Sequence, residues 1–199
     1  MPFFIVKQDI KTLKVDAIVN SANPIPTNHG GLEAEVYQAA GPDLFNKRKQ
    51  LGHIPFGEAR ISLGYQLPSD YVIHTVAPIA SITEHFETVL KQSYTSALTI
   101  ATNNNLSSIA FPLLASGANG CKRDVAIEIA IDAINDYLSH FELDVYLVLY
   151  EPYHPVRLKQ MHQNLIRYLS NQTQMKQLRS ASMDKLHDSL ESHTINKSI

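Results

Sequence analysis

The sequence predicts an α/β fold in which helices cover both faces of a largely parallel sheet. Strand-like runs alternate with helical patterns along the chain, which is the arrangement of layered α/β proteins. Several of these runs, such as residues 145–150, are apolar on both faces, as expected for a strand buried under two helical layers. The 199 residues suffice for one domain with its own core.

Six runs rich in Val, Ile, Tyr or Phe, each bounded by polar or breaker residues, predict strands. They cover residues 3–6, 15–19, 59–64, 71–76, 108–112 and 144–150. Helical patterns cover residues 32–40, 42–51, 86–103, 122–138 and 155–169. The first two are separated at Gly41-Pro42, because a proline suits the first turn of the next helix. The fourth carries a wide apolar stripe and is expected to be well buried.

The composition disfavours nucleic-acid-binding, secreted and membrane-spanning proteins. The formal charge of −2 gives no general attraction to nucleic acid or to an acidic membrane surface. Residues 1–6 read as a first strand rather than a signal peptide, and no apolar run approaches the roughly 20 residues that span a bilayer. With Cys121 as its single cysteine, the chain forms no intrachain disulfide, and the cytoplasm is the expected compartment.

The composition changes near the C-terminus. Residues 171–199 are rich in Ser, Gln, Asn and Lys and contain no aromatic residue. We therefore expect one domain over residues 1–170 and a polar tail over 171–199 that is disordered or partly helical. A helix that docks on a partner is the alternative for the tail, and a monomer is the expected oligomeric state.

Two strand ends carry residues suited to binding. Residues 15–23 run from an apolar strand into Asn20 and Asn23, and Gly30-Gly31 follow. Residues 107–120 likewise run from a strand into a small, glycine-bearing loop before a helix. In such folds ligands bind outside the carboxyl ends of the strands, where glycines and a helix N-terminus accommodate phosphate. The alternative is that the second loop only turns the chain from strand to helix.

Several blocks of the sequence, in order and spacing, resemble the macrodomain family. They are Asp9-Ile10, residues 15–23, Gly30-Gly31, 39–42, 57–59, 64–68, 71–76 and 109–120. The resemblance covers about residues 1–168 and implies a three-layer α/β/α sandwich around a mixed, mostly parallel six-stranded sheet. It also implies a cleft for ADP-ribose. Several family members remove ADP-ribose from proteins or deacetylate O-acetyl-ADP-ribose.

The resemblance also implies roles for individual residues. Asp9 would accept a hydrogen bond from the adenine amino group, and the backbone of Ile10 would donate one. Asn23 would hold the distal ribose, with Gly30 and Gly31 close to that ribose and its phosphate. The residues that would wrap the diphosphate are Ser116, Gly117, Ala118, Asn119 and Gly120. Tyr150 would lie near the adenine.

Simpler alternatives stand beside three of these interpretations. Asp9 is also a typical residue to begin and cap a turn. Tyr150 is equally consistent with ordinary core packing. Asn20 is expected to hydrogen-bond to loop backbone and shape the cleft rather than to touch a ligand.

The first loop departs from the pattern of the hydrolytic members. Glu33 stands where they carry an aspartate that is the proposed water activator, and Asn28 and His29 replace two glycines. Asn23 and Glu33 are thus the candidate catalytic pair, although a carboxylate at a helix start also has a purely structural benefit. His29 is expected to face solvent. In the second loop Asn119 and Cys121 occupy positions that are often aromatic in the family, and Cys121 is not expected to act as a nucleophile.

The sequence gives no indication of a metal or cofactor site, or of binding to nucleic acid or a membrane. The nine histidines are scattered, His74 is expected to pack in the core, and we predict neither a metal site nor a cofactor. The predicted partner is ADP-ribose or an ADP-ribosylated protein, with no role for nucleic acid or a membrane. Hydrolysis of an ADP-ribosyl linkage, binding without turnover, and a protein-interaction module are the functions left open.

Overall fold

A computed structural model describes residues 3–28 and 30–149. Its strands are β1 (Phe3–Val6), β2 (Ala17–Ser21), β3 (Ala59–Leu63), β4 (Tyr71–Thr75), β5 (Ser108–Pro112) and β6 (Asp144–Val148). Its α-helices are α1 (Gly31–Ala40), α2 (Pro42–Gln50), α3 (Phe86–Asn103) and α4 (Arg123–Leu138). A short 3-10 turn over Ile10–Thr12, which the sequence did not predict, precedes β2. The helix predicted over 155–169, Tyr150 and the predicted tail lie outside the described residues.

The described strands form one mixed sheet in the order β1-β6-β5-β2-β4-β3. All neighbouring strands are parallel except β3 and β4, which run antiparallel. This confirms the predicted mixed, mostly parallel six-stranded sheet. The predicted strand 15–19 is displaced: β2 begins at Ala17 and continues through Asn20, which pairs in register with His74 of β4.

Helices cover both faces of the sheet. Helices α1 and α2 pack together, α1 against β2 and α2 against β3, whereas α3 packs on α4 and on β3, β4 and β5. Alternation along β4 separates the two faces. Val72 joins the core cluster that contains Val36 of α1. Thr75, three residues further along and so on the opposite face, donates a hydrogen bond to the carbonyl of Ser93 in α3 at 3.1 Å. The architecture is therefore the predicted three-layer sandwich.

The chain order creates a crevice at one edge of the sheet. The parallel strands β2 and β5 are neighbours, and the chain leaves β2 toward α1 but leaves β5 toward α4 on the other face. Such a point of diverging connections is where open α/β sheets bind ligands. The loop after β4 joins this edge, since the backbone N–H of Ala80 donates to the carbonyl of Asn119 at 2.8 Å. Among the described helices, none is long and apolar enough to cross a membrane.

Candidate functional site

A cavity of about 300 Å³ lies at the carboxyl ends of β2 and β5. Most of the residues proposed from the sequence line it: Asn23, Gly30, Gly31, Glu33, Ser116, Gly117, Ala118 and Asn119. Apolar side chains of Phe56, Val76 and Ile79 form part of the wall. The two loops that were separate motifs in the sequence therefore face one another across a single cavity.

A second cavity of about 200 Å³ adjoins the first and is lined by Asp9 and Ile10. Leu32, Leu113 and Ser116 line both cavities, so the two form one elongated cleft. The Asp9 carboxylate lies at one end of this cleft, and the Asn23–Glu33 pair lies at the other.

Asp9 caps a turn, as one of its two interpretations predicted, and it also lines the cavity. One carboxylate oxygen accepts a hydrogen bond from the backbone N–H of Lys11 at 3.0 Å and caps the 3-10 turn. The other lies 3.4 Å from the ammonium of Lys11, which also pairs with Glu35 at 2.5 Å. The cap fixes the carboxylate, and its side chain, 37% exposed, still faces the cavity.

Helix α1 begins at the cleft without a side-chain cap. Gly30 and Gly31 both have positive φ angles, +109° and +70°, which side chains other than glycine rarely adopt. Gly30 stands at the N-cap position and no side chain bonds to the first turn of the helix. The first N–H groups of α1 are therefore available to an anion, and the positive end of the helix dipole favours one.

The second loop offers a similar surface. Lys122 precedes α4 and makes no side-chain cap, and a β-carbon added at Gly117 would meet no atom within 4 Å. Gly120 lies at the far end of the loop, where its φ is +76° and its N–H donates to the carbonyl of Gly117 at 3.0 Å. Gly120 does not line either cavity and serves the turn, so its predicted contact with a diphosphate stays a prediction.

Glu33 is held in a closed hydrogen-bonded unit. It is only 2% exposed. One carboxylate oxygen accepts from the amide of Asn23 at 2.6 Å and lies 3.5 Å from the Thr27 hydroxyl, and the other accepts from the hydroxyl of Tyr37 at 2.6 Å. Burial, and then the hydrogen bond to Glu33, raises the pKa of Tyr37 well above its usual value, so the hydroxyl stays protonated and donates. The arrangement can hold a carboxylate in one orientation at the cleft.

Tyr37 and Thr27 were not proposed from the sequence. A signal for Tyr37 existed, since it stands four residues after Glu33 on α1 and so lies on the same helical face. For Thr27 no linear signal existed, because its contact with Glu33 depends on the path of the loop.

Arg48 is another residue that the sequence did not reveal. This arginine of α2 is completely buried. It donates to the backbone carbonyls of Asn23 at 2.8 Å, Pro24 at 3.2 Å and Gly52 at 2.6 Å. It therefore anchors the loop that carries Asn23, and its positive charge lies close enough to interact with the Glu33 carboxylate. A basic stretch on a helix is more typical of a solvated face, which is why it gave no indication of this role.

The expectation for Asn20 was wrong in its partner. Its amide contacts Nδ1 of His74 on the neighbouring strand at 3.2 Å rather than loop backbone. His74 packs in the core, as predicted, and its Nε2 lies 2.9 Å from the hydroxyl of Ser62. Burial, with a smaller contribution from the charge of Arg48, lowers the pKa of His74 to about 3. This neutral network stabilises β2 beneath the cleft and does not touch it.

Asn119 is held by hydrogen bonds to backbone, and Cys121 is buried. The amide of Asn119 donates to the carbonyls of Ala77 and Pro78, at 2.8 and 3.0 Å, and ties the second loop to the loop after β4. Cys121 is buried, and burial raises the pKa of its thiol, which disfavours the nucleophilic thiolate.

His29 and Tyr150 lie outside the described residues. Among those described, no group of three or more His, Cys, Asp or Glu side chains could hold a metal ion.

Comparison with known proteins places this cleft in a family. The model of the Macro domain matches residues 19–130. The chain is 38% identical over 154 residues to an O-acetyl-ADP-ribose deacetylase of Citrobacter rodentium, covering 74% of this chain and 87% of the relative. It is 41% identical over 135 residues to the ADP-ribose glycohydrolase MACROD2 of Xenopus laevis, covering 67% of this chain but only 32% of that longer protein.

A solved structure shows the same architecture. The Oceanobacillus iheyensis macrodomain with ADP superposes with a TM-score of 0.77 at 31% identity, covering 84% of this chain and 91% of that one. The family model spans more than half of the chain, and it includes both loops of the cleft. The chain therefore belongs to the macrodomain family.

Proposed function

We propose that the elongated cleft binds ADP-ribose. The single observation that carries the proposal is the joining of two cavities, with Asp9 at one end and the Asn23–Glu33 pair at the other. A ligand with a base at one end, a sugar at the other and phosphates between them matches this layout. Relatives named for ADP-ribose chemistry and a neighbour solved with ADP support the same assignment.

The adenine lies in the cavity of Asp9 and Ile10. An ionised carboxylate accepts hydrogen bonds only, and the exocyclic amino group of adenine is a donor. Because Asp9 is fixed by its cap on the 3-10 turn, its position is set before the ligand arrives.

The diphosphate lies between the two glycine-bearing loops. The uncapped start of α1 at Gly30-Gly31 presents free N–H groups on one side. The open backbone at Gly117 lines the other side. Together the N–H groups of these two loops stabilise a dianion.

The distal ribose then lies against Asn23 and Glu33, and we propose that the chain hydrolyses the bond at its C1″. Glu33 takes a proton from a water molecule held beside Asn23. The water oxygen forms a bond to C1″ and the bond from C1″ to the acceptor atom breaks. The acceptor leaves with the proton that Glu33 took from the water, so Glu33 is a carboxylate again at the end of the cycle. The products are ADP-ribose and the free acceptor.

Binding without turnover is the second candidate function, and one observation favours it. Both oxygens of Glu33 already accept short hydrogen bonds from Asn23 and Tyr37. A carboxylate whose two oxygens already accept hydrogen bonds is less accessible to a water molecule, and glutamate is one methylene longer than the aspartate of hydrolytic members. A reach that is shifted by about an ångström can cost roughly 100-fold in rate.

The two candidates are separated by Glu33→Gln, which keeps the size of the side chain and removes its basicity. The substrate is a protein that carries a radiolabelled ADP-ribosyl group, and the release of label is followed over time. We expect Glu33→Gln to abolish release while the Kd for ADP-ribose changes little. Equal slow release by the wild type and by Glu33→Gln would identify the chain as a reader.

The setting of this activity is also part of the proposal. The single cysteine supports a cytoplasmic protein, and the near-neutral charge supports action on ADP-ribosylated proteins rather than on nucleic acid or membranes. A monomer is the proposed oligomeric state. Light scattering of the purified chain tests the monomer, and localisation of a tagged chain tests the compartment.

A further inference from the structure

A groove of about 660 Å³ runs over the outer surface of α1 and the start of α2. It is lined by Asn28 and by Gln38, Phe45 and Asn46 of the two helices. Gly30 and Gly31 line this groove and also line the ligand cleft. The groove is thus continuous with the end of the cleft that holds the Asn23–Glu33 pair.

Only one layer of side chains separates the groove from that pair. Glu33 lines the cleft and Tyr37 lines the groove, and the Tyr37 hydroxyl donates to the Glu33 carboxylate at 2.6 Å. A group attached to the distal ribose beside Gly30-Gly31 therefore has a path out of the cleft and along α1.

The side chains of the groove suit a polypeptide backbone. Asn28, Gln38 and Asn46 are exposed carboxamides, and none has a hydrogen-bond partner among the described residues. Each carboxamide both donates and accepts, as do the N–H and C=O groups of an extended peptide. Phe45, half-buried at the base of α2, adds an apolar contact between them.

The charge of the groove disfavours nucleic acid. No lysine or arginine is among its lining residues, and its one carboxylate, Glu35, is paired with Lys11 at 2.5 Å. The nearby ammonium of Lys49 lies over the ring of Phe45, 4.2 Å from its centroid. A nucleic-acid strand requires positive charge along its phosphates, whereas a neutral groove of carboxamides imposes no such mismatch on a peptide.

We propose that this groove holds an extended segment of the protein that carries the ADP-ribosyl group. The inference rests on the proposed function, because the cleft must first bind the ADP-ribosyl group itself. The groove adds contacts that small ADP-ribosyl metabolites lack, because these fill the cleft but leave the groove empty.

The test compares two ligands on the full chain. The first is free ADP-ribose, and the second is a short peptide with a single ADP-ribosyl group on a glutamate. Both are titrated against protein carrying Glu33→Gln, so that the peptide linkage stays intact. The groove variant adds Gln38→Ala and Asn46→Ala, both exposed helical positions where alanine preserves the helix. The matched control adds Gln50→Ala and Asn103→Ala, two exposed carboxamides outside the groove.

We expect the groove variant to weaken peptide binding about tenfold, as the loss of two hydrogen bonds implies, and to leave the Kd for ADP-ribose unchanged. The control variant should bind both ligands like its parent. Thermal melting of all three proteins verifies that each is folded, and Gln38→Ala alone provides a milder version of the same change.

Four results would overturn the inference, the last of them an unchanged Kd of the groove variant for the peptide. The peptide binds no tighter than ADP-ribose, or the groove variant weakens both ligands equally, or an ADP-ribosylated RNA oligomer rather than the peptide gains affinity through Gln38 and Asn46. Failure of the proposed function is distinguishable, because then neither ligand binds the unaltered chain. Retained ADP-ribose binding with an unchanged Kd for the peptide refutes the groove alone.

Discussion

Tyr37→Phe is the most informative single change, because it removes one hydroxyl and leaves the aromatic packing in place. The Tyr37 hydroxyl is the partner of one Glu33 oxygen among the described residues, at 2.6 Å, and Glu33 is only 2% exposed. Water cannot readily replace the lost donor. A hydrogen bond to a charged group is worth roughly 1.5–3 kcal/mol, so the free energy of unfolding should fall by about that amount.

The same change should affect turnover more than binding. With one oxygen unpaired, the Glu33 carboxylate is free to rotate away from the orientation that Asn23 and Tyr37 together impose. Each 1.4 kcal/mol of lost positioning corresponds to about tenfold in rate, so kcat should fall about tenfold or more while the Kd for ADP-ribose is kept.

The assay pairs urea unfolding with single-turnover release of a radiolabelled ADP-ribosyl group. Tyr137→Phe is the matched control, because its hydroxyl makes an equally short bond, 2.7 Å, to Thr102 on the opposite face of the sheet. If Tyr37→Phe costs no more stability than Tyr137→Phe and leaves kcat unchanged, the Glu33–Tyr37 contact has no positioning role.

Three further predictions follow from buried or strained groups. The variant Gly31→Ala should lose roughly 1–2 kcal/mol of stability by urea unfolding, because a β-carbon is strained at a φ of +70°, and should also bind ADP-ribose more weakly by calorimetry. Arg48→Met should lose about 3 kcal/mol or more, since the carbonyls of Asn23 and Gly52 lose the arginine as a donor and that of Pro24 keeps only the N–H of Ile54. Arg48→Lys should restore part of the loss, and equal stability of all three proteins would contradict this. Stability should fall as pH drops from about 6.5 toward 3, because unfolded His74 gains a proton that the folded chain, with a pKa of about 3, does not accept. The variant His74→Gln should flatten that part of the urea-unfolding profile, whereas His53→Gln, an exposed control, should not.

The sequence predicted the fold because its strands are apolar and its helices are periodic. Element boundaries were less predictable where polar residues find partners across strands. Asn20 is a poor strand former by itself, yet β2 continues through it because His74 on β4 supplies a partner. The 3-10 turn at Ile10–Thr12 is too short to show a period, and it depends on the cap that Asp9 provides.

The candidate site was predictable only in part. The loops that form it were predicted, because they lie at strand ends, where glycines and asparagines stand out in the sequence. Thr27 and Arg48 did not stand out in the sequence, because they reach Glu33 or its loop only through tertiary contacts. A basic residue on a helix indicates a solvated face in a linear pattern, so a buried arginine under the cleft could be recognised only once the helix was placed.

The most direct test of the proposed cleft is calorimetric titration of the full chain with ADP-ribose, with ADP as the comparison ligand and Gly117→Glu as the comparison protein. The cleft geometry predicts micromolar binding of ADP-ribose and weaker binding of ADP, which lacks the distal ribose beside Asn23 and Glu33. It predicts no binding to Gly117→Glu, whose carboxylate would enter the open space that we propose for the diphosphate. An unaltered chain that binds neither ligand, or a Gly117→Glu variant that binds ADP-ribose as tightly as the wild type, would contradict it.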